Sequence, residues 1–219
     1  MIQGYASWTG TRTTLDALRA ARWRLLLSPD TLRTSKMAKR NIRPQWTDGS
    51  PAPYALDNGA WGCFQQDRDF DASAFRWALS RLGCGADWIV IPDIVEGGLA
   101  SLRFSESWLP ELLPVPSVLL LAVQDGMSPS DVEHLISPSI GIFLGGSTDW
   151  KLDTMREWGE LAAKRNAYFH VGRVNSMRRI YRCQLAGVHS FDGTSVTKFP
   201  CTITRLNNAR KQLALWERI

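Results

Sequence analysis

Three aspartates each follow a short apolar segment of the sequence, and they are the residues best placed to do chemistry. Asp57 follows Leu56, Asp93 follows Pro92, and Asp192 follows the segment HSF. If these segments are neighbouring strands, the three carboxylates repel one another, so we expect at least one displaced pKa and a pocket suited to acid–base work. Aspartate also caps helices and satisfies loop amides, and that structural role stays open for each residue taken alone.

Further residues at the ends of apolar segments could recognise a planar ligand. Gln124 ends one such segment, and Gly145-Gly146 ends another, where a glycine pair lets the backbone approach a ligand closely. Trp61 could stack on a base, or it could simply pack in the core. His170 and the carboxylates could together hold a divalent cation, but their spacing is not diagnostic of any metal. We therefore predict neither a metal nor a cofactor.

The elements that would position these residues alternate between short apolar segments and longer amphipathic ones. This alternation predicts a parallel sheet covered by helices. The predicted strands are 2–6, 24–28, 54–57, 87–92, 117–124, 140–145, 168–171 and 189–192. Apolar residues at three- and four-residue spacing predict helices at 13–22, 72–82, 99–112, 129–136, 152–165, 176–186 and 203–218. Only the second strand has no predicted helix after it. The pattern favours an α/β fold with a single compact (β/α)8 TIM-type barrel over residues 1–219, and an open doubly wound sheet is the alternative.

The composition is that of an ordinary globular protein. The chain has 219 residues, of which 44% are hydrophobic and 21% charged, with a formal net charge of +5. This basic balance favours a polyanionic partner. The longest apolar stretch, 112–123, is shorter than the roughly 20 residues of a membrane span, and the N-terminus does not resemble a secretory signal, so we expect no membrane partner and a cytoplasmic location. The four cysteines are widely spaced and indicate neither a disulfide framework nor a zinc ribbon.

The segment between the second and third predicted strands, 29–53, is long and basic. From 31 to 47 it carries five cationic residues and no acidic one: Arg33, Lys36, Lys39, Arg40 and Arg43. Loops that follow strands lie on the active face of a barrel, so this loop could clamp nucleic-acid phosphates. A solvated surface loop is the alternative.

Six motifs at the predicted strand ends, taken in order, resemble those of one enzyme family. They are DNGAWG (57–62), IPDIVEGG (91–98), LLAVQDG (120–126), IFLGGS (142–147), HVGRVNS (170–176) and AGVHSFDGTS (186–195). Their order and content resemble the tRNA-guanine transglycosylase superfamily, including its phage and bacterial DNA-modifying branch, the DpdA-like 7-deazaguanine transglycosylases. The likeness runs through most of the chain.

The resemblance implies base exchange through a covalent glycosyl intermediate. It makes Asp192 the nucleophile, Asp57 a general base, and Asp93 the residue that reads the guanine edge. Implied contacts to the base come from Gln124, Gly145, Gly146, Trp61 and Val171, the last as the second face of the base sandwich. With the basic loop, the candidates for phosphate contact are Arg173, Arg178, Arg179 and Lys198.

The departures from the family bear on the substrate. The zinc site of the family is absent, because Cys201 is the only cysteine after Asp192, and His189 and Lys198 stand where the family has Asp and Arg. Loss of the zinc site favours the compact DNA branch, so we expect replacement of guanine in DNA by a free 7-deazaguanine base such as preQ0, with a homodimer or a partner protein possible. The alternatives are tRNA as substrate, a base-removing or metal-dependent barrel hydrolase, and a silent nucleic-acid-binding barrel.

Overall fold

Eight short parallel strands form the framework of the protein. The structure is a computed structural model, and it describes residues 1–9, 11–34, 43–199 and 201–216. All eight predicted strands are confirmed, most with bounds one or two residues shorter. They are β1 Gln3–Ser7, β2 Arg24–Leu27, β3 Tyr54–Leu56, β4 Trp88–Val90, β5 Val118–Val123, β6 Ile140–Leu144, β7 Phe169–Val171 and β8 Ser190–Asp192.

The helices between the strands differ more from the predictions. In the described ranges they are α1 Arg12–Ala20, α2 Pro29–Thr34, α3 Ala60–Gln65, α4 Ala72–Leu82, α5 Leu99–Leu112, α6 Pro129–Val132, α7 Thr148–Lys164, α8 Met177–Leu185, α9 Ser195–Lys198 and α10 Thr202–Trp216. The prediction of no helix after the second strand is wrong, because α2 begins two residues after β2. Helix α7 begins earlier than predicted because the Ser147 hydroxyl caps it by accepting from the Trp150 amide. Within these ranges, no helix is both long and apolar enough to cross a membrane.

The strands close into a barrel in sequence order, as the (β/α)8 prediction requires. Each strand pairs in parallel with the next, and β8 returns to pair with β1. The alternative of an open doubly wound sheet is therefore wrong. In the closing pair, Tyr5 lies opposite Asp192, which fixes the height of that carboxylate in the barrel.

Alternation along each strand sends side chains to two separate apolar layers. The interior layer contains Tyr5, Ala55, Trp88, Val90, Leu120 and Ala122, with Phe143 and Tyr168 packed against them. The opposite faces of the strands pack against the helices in a larger cluster that includes Leu27, Leu56, Ile89, Leu121, Ile142, Phe169 and Val171. This division follows from the two-residue period of a strand. The layers leave the polar residues at the C-terminal strand ends as the lining of the barrel mouth.

The contact between α7 and the end of α8 depends on a glycine. A Cβ on Gly159 would overlap the carbonyl oxygen of Ala186 and lie 3.5 Å from the ring of Phe169. We expect Gly159→Ala to lower the free energy of unfolding by about 1–3 kcal/mol, because a backbone carbonyl cannot move aside like a flexible side chain. Urea unfolding measures the change.

Gly62→Ala in α3 is the matched control for this substitution. A Cβ there meets only the Asp30 carboxyl oxygen, at 3.2 Å. Alanine is the better helix former by up to about 1 kcal/mol, so the control should be neutral or stabilising. Equal stability of Gly159→Ala and wild type would show that the two helices are not in close contact.

Candidate active site

The three aspartates predicted from sequence come together at the C-terminal mouth of the barrel. Asp192 ends β8 and is 8% exposed, while Asp57 and Asp93 follow β3 and β4 and are half-buried. Burial, together with repulsion from Asp192 and Asp93, raises the pKa of Asp57 to about 7, although the backbone amides of Gly59 and Asn58 oppose the rise. The mouth therefore holds a carboxyl group that titrates near neutral pH, as a general acid–base requires.

Asn58 joins the β3 and β4 loops and holds Asp93 in place. Its side-chain amide donates to the Asp93 carboxylate at 2.7 Å and to the carbonyl of Ile91 at 2.8 Å, while its oxygen accepts from the amide of Ala60 at 2.8 Å. Burial raises the pKa of Asp93 to about 6, and the bond from Asn58 opposes that rise. Asp93 is therefore mostly ionised at neutral pH and is held at a fixed orientation. Sequence reasoning missed Asn58, although it is buried and directly follows Asp57.

Asp192 is surrounded by hydrogen-bond donors. His170 Nε2 lies 3.1 Å from Oδ1, and the backbone amide of Arg173 lies 3.3 Å from both carboxylate oxygens. Arg173 is in the left-handed region at φ +60°, and the carbonyl of Gly172 accepts from the buried Lys151 ammonium at 2.7 Å. The loop after β7 is thus held in a conformation that directs an amide at Asp192. Lys151, from α7, is a supporting residue that the sequence did not reveal.

Gln124 and the glycine pair lie at the mouth as predicted, but some of their hydrogen-bonding groups already have partners within the protein. Gln124 is buried, and its amide nitrogen donates to the carbonyl of Ile94 at 2.9 Å. The amide of Gly145 donates to Val123. Gly146 is at φ +70°, where glycine is favoured, and a Cβ there would also overlap the Asp125 carboxylate. The pair thus lets the β6 loop pass close to the β5 loop.

The aromatic groups at the mouth are arranged differently from the prediction. Trp61 is 39% exposed, and it stacks on Phe64 at 5.7 Å. The Arg173 guanidinium lies 4.6 Å from the centre of its ring and also donates to the carbonyl of Gly146. Arg173 therefore bridges the loops after β3, β6 and β7 across the mouth. A base that stacks on this face of Trp61 must displace the guanidinium.

The expectation that Val171 forms one face of a base sandwich is not met by its placement. Val171 is 1% exposed and packs in the outer layer between sheet and helices. Because side chains alternate along a strand, its neighbour His170 faces the interior instead. The half-buried ring in this region is Phe143 of β6, which stacks on His170 at 4.8 Å. Phe143 lies two residues before Gly145, and because side chains alternate along a strand, this spacing could have identified it as inward-facing.

The predicted phosphate contacts divide between the two ends of the barrel. Arg173, Arg178, Arg179 and Lys198 lie in or after the loops that follow β7 and β8, and Arg178 and Lys198 are exposed. Arg43 lies elsewhere: its guanidinium is close to Gly85, just before β4, and to Tyr54, the first residue of β3. The chain has by then returned to the N-terminal end of the barrel, so the placement of Arg43 at the mouth is wrong. Arg33 lies in α2, and Lys36, Lys39 and Arg40 lie outside the described residues.

The metal option raised by His170 and the carboxylates finds no matching geometry in the described part of the chain. No group of three or more His, Cys, Asp or Glu side chains there is arranged to hold an ion. The ring nitrogens of His170 instead contact Asp192 and Ser190. In this arrangement the His170 ring contacts the Asp192 carboxylate directly.

The raised pKa of Asp57 predicts a pH-dependent stability. Its pKa is about 7 in the folded protein against 3.8 for the ordinary group, so the native state binds more protons than the unfolded state between these values. Stability from this group is therefore present at low pH and is lost as the pH rises towards 7. We expect Asp57→Asn to be more stable than wild type, most above about pH 7.5 and least below about pH 4, as measured by urea unfolding.

Asp153→Asn, on the exposed side of α7, is the control for the chemistry of the substitution. Its effect on stability should not grow between about pH 5 and pH 8. An effect of Asp57→Asn that is equally flat over this range would show that the Asp57 carboxyl group is not perturbed.

Comparison with known proteins gives no independent guide to this site. The sequence matches no protein-family model, and no curated protein sequence matches it significantly.

Proposed function

We propose that this barrel is a base-exchange transglycosylase that replaces guanine in DNA with a 7-deazaguanine such as preQ0. The observation that carries the proposal is the unequal environment of two carboxyl groups at one mouth. Asp192 is held by the His170 ring and a backbone amide, whereas Asp57 is crowded and titrates near pH 7. Two carboxyl groups with different environments can take the separate roles of nucleophile and acid–base. The resemblance of the six strand-end motifs supports the same chemistry.

The first half of the proposed reaction breaks the bond between guanine and the sugar. An Asp192 oxygen attacks C1′ as the glycosidic bond to N9 breaks, which forms a covalent glycosyl ester. Protonated Asp57 gives its proton to the departing base, so that guanine leaves as a neutral molecule. A pKa of about 7 leaves a large share of Asp57 protonated at neutral pH.

The second half reverses these steps with a different base. Asp57, now a carboxylate, takes the N9 proton of the incoming deazaguanine, and N9 attacks C1′ and releases Asp192. Protons and electrons balance over the cycle, because Asp57 regains the proton that it lost. C1′ is inverted once by Asp192 and once by N9 of the incoming base, so the sugar keeps its original configuration.

Recognition of the base falls to the residues on the loops after β4 and β5. The Asp93 carboxylate can accept from N1–H and the exocyclic amine of guanine, a pair of donors that adenine does not present together. Asn58 fixes the direction of that carboxylate through its 2.7 Å bond. Gln124 is tied to the Asp93 loop by its bond to Ile94, and in the proposed complex it addresses the opposite edge of the base.

The test of the function is incubation of the protein with free preQ0 and duplex DNA, single-stranded DNA or tRNA, followed by nucleoside mass spectrometry of each polymer. Deazaguanine in DNA, with guanine released in equal amount, is the expected result. Incorporation only into tRNA would name the other polymer. Base release without incorporation would identify a hydrolase, and no reaction with any polymer would overturn the proposal.

Asp192→Asn should abolish exchange while nucleic-acid binding stays within about 2-fold of wild type. Asparagine fills the same volume and still accepts from His170, but it cannot form the ester. Denaturing gel electrophoresis after acid quench should show a protein–nucleic acid adduct with wild type and none with the variant. Exchange at the wild-type rate by Asp192→Asn would remove this residue from the mechanism.

The cationic residues after β7 should set the salt dependence of binding. The double variant Arg178→Ala, Arg179→Ala should weaken nucleic-acid binding across sequences and reduce the slope of log K against log salt by about 0.7–0.9 for each lost phosphate contact. Arg156→Ala is the control, because this exposed arginine lies with His189 and Val118 towards the other end of the barrel. A slope altered equally by Arg156→Ala would place the nucleic acid elsewhere.

A further inference from the structure

His170 is a buried polar residue inside a barrel whose interior is otherwise largely apolar. It is fully buried, and its ring contacts both Phe143, at 4.8 Å, and Trp88, at 4.5 Å. Both ring nitrogens have partners on β8: Nδ1 lies 2.7 Å from the Ser190 hydroxyl and Nε2 lies 3.1 Å from Asp192. Ser190, His170 and Asp192 thus form a hydrogen-bonded chain directed at the candidate nucleophile.

Further polar groups lie between Ser190 and the N-terminal end of the barrel. The Tyr168 side chain lies near Ser190 and Tyr5. The Tyr5 hydroxyl in turn donates to Asp87 at 2.9 Å, and Asp87 pairs with Arg24 at 2.7 Å. Side chains from five strands or their ends therefore contribute polar groups between the mouth and the N-terminal end of the barrel.

The partners of His170 determine where its proton lies. An ionised Asp192 can only accept, so Nε2 must carry the proton that is shared with it. Burial and the positive charge of Lys151 lower the pKa of His170, although Asp192 opposes this, and the ring is therefore neutral. In a neutral ring Nδ1 is an acceptor, and Ser190 is the donor that it requires.

Stability alone gives little reason for this arrangement. Burial of a polar chain costs the hydration free energy of its members, and hydrogen bonds recover roughly that free energy only if every member is paired. Apolar side chains of similar volume would pack without this cost. The chain also ends at the one carboxylate of the mouth that receives both a ring donor and a backbone donor. The members of the chain are therefore in position to orient that carboxylate.

We propose that His170 is the positioning residue of the nucleophile: its Nε2–H fixes the Asp192 carboxylate for attack on C1′, and the Ser190 hydroxyl holds the other side of the ring by donating to Nδ1. This inference rests on the proposed role of Asp192. With Oδ1 held by the ring and both oxygens near the Arg173 amide, rotation of the carboxylate is restricted and one oxygen is presented to the mouth. His170 itself need not touch the substrate.

The first arm of the test needs no substrate. Long-range 15N correlation spectra of the imidazole rings should show His170 neutral and protonated at Nε2 between about pH 6.5 and pH 8. In Ser190→Ala the proton should stay on Nε2, because Asp192 still accepts it, and the Nδ1 signal should shift because its hydrogen-bond donor is lost. A wild-type ring protonated at Nδ1, or charged over this range, would overturn the inference.

The second arm measures formation of the glycosyl adduct in a single turnover. His170→Phe keeps a ring in contact with Phe143 and Trp88 but has no donor, and it should slow adduct formation about 10- to 100-fold, as the loss of orienting partners does at other sites. The affinity for nucleic acid and the KM for the free base should stay within about 2-fold. His170→Gln places an N–H near the Nε2 position and should restore the rate to within about 5-fold of wild type.

His189→Phe is the matched control. This histidine also lies beside β8, stacks on Tyr168 at 5.1 Å and accepts from a backbone amide, but it has no contact with Asp192 among the described residues. Its rate of adduct formation should equal that of wild type. If His170→Phe and His170→Gln lose rate, affinity and thermal stability together, His170 has only a structural role and the inference is overturned.

Failure of the proposed function would look different from failure of this inference. A wild-type protein that forms no adduct with any polymer overturns the function, while the tautomer of His170 and the shift of its Nδ1 signal in Ser190→Ala still decide whether the chain to Asp192 exists. If wild type and His170→Phe form the adduct at equal rates, the proposed function stands and the positioning role of His170 is overturned.

Discussion

Closure of the barrel by β8 against β1 is the constraint on which the site depends. The pairing sets Tyr5 opposite Asp192 and leaves each of the eight strands only three to six residues long. Strands this short carry one to three inward-facing side chains each, so the barrel has little depth between its packed middle and its mouth. A polar residue at a strand end therefore lies directly on the layer formed by Tyr5, Trp88 and Phe143. The same closure brings Asp57 close enough to Asp192 for the two charges to repel.

The sequence carried enough information for the fold and for most of the mouth. Each strand is an apolar run between polar residues, and eight such runs alternating with helical patterns leave few topologies. Asp57, Asp93, Gln124 and Asp192 were found because a parallel barrel directs all C-terminal strand ends to one face. Helices α2, α3 and α9 were missed, since four to six residues are too few to show a periodic pattern.

The errors at the site come from three-dimensional information that spacing does not contain. Val171 and His170 are neighbours, and only the register of β7 decides which of them faces the interior. Arg43 was assigned to the mouth because it follows β2, but the chain has already returned to the start of β3 at that point. The contact of Arg173 with Trp61 joins residues more than a hundred positions apart, and no local pattern in either segment announces it. Counting the alternation of side chains from Asp192 and Gly145 would have corrected the assignment of Val171. It would not have corrected the placement of Arg43 or revealed the contact between Arg173 and Trp61.

The division of labour between the carboxyl groups follows from what each one contacts. Asp57 is buried and faces two like charges, which raise its pKa to about 7 despite its backbone amides, so it can gain and lose a proton near neutral pH. Asp192 has a fixed ring donor below it and a backbone amide beside it, and the left-handed conformation of Arg173 keeps that amide in place. An acid–base group must exchange its proton during each cycle, whereas a nucleophile must hold one orientation, and these two needs call for opposite surroundings. The polar chain behind Asp192 meets the second need without placing another charge in the mouth, because His170 is neutral. A lysine or arginine in its place would have lowered the pKa of Asp57 as well and removed the acid that the departing base requires.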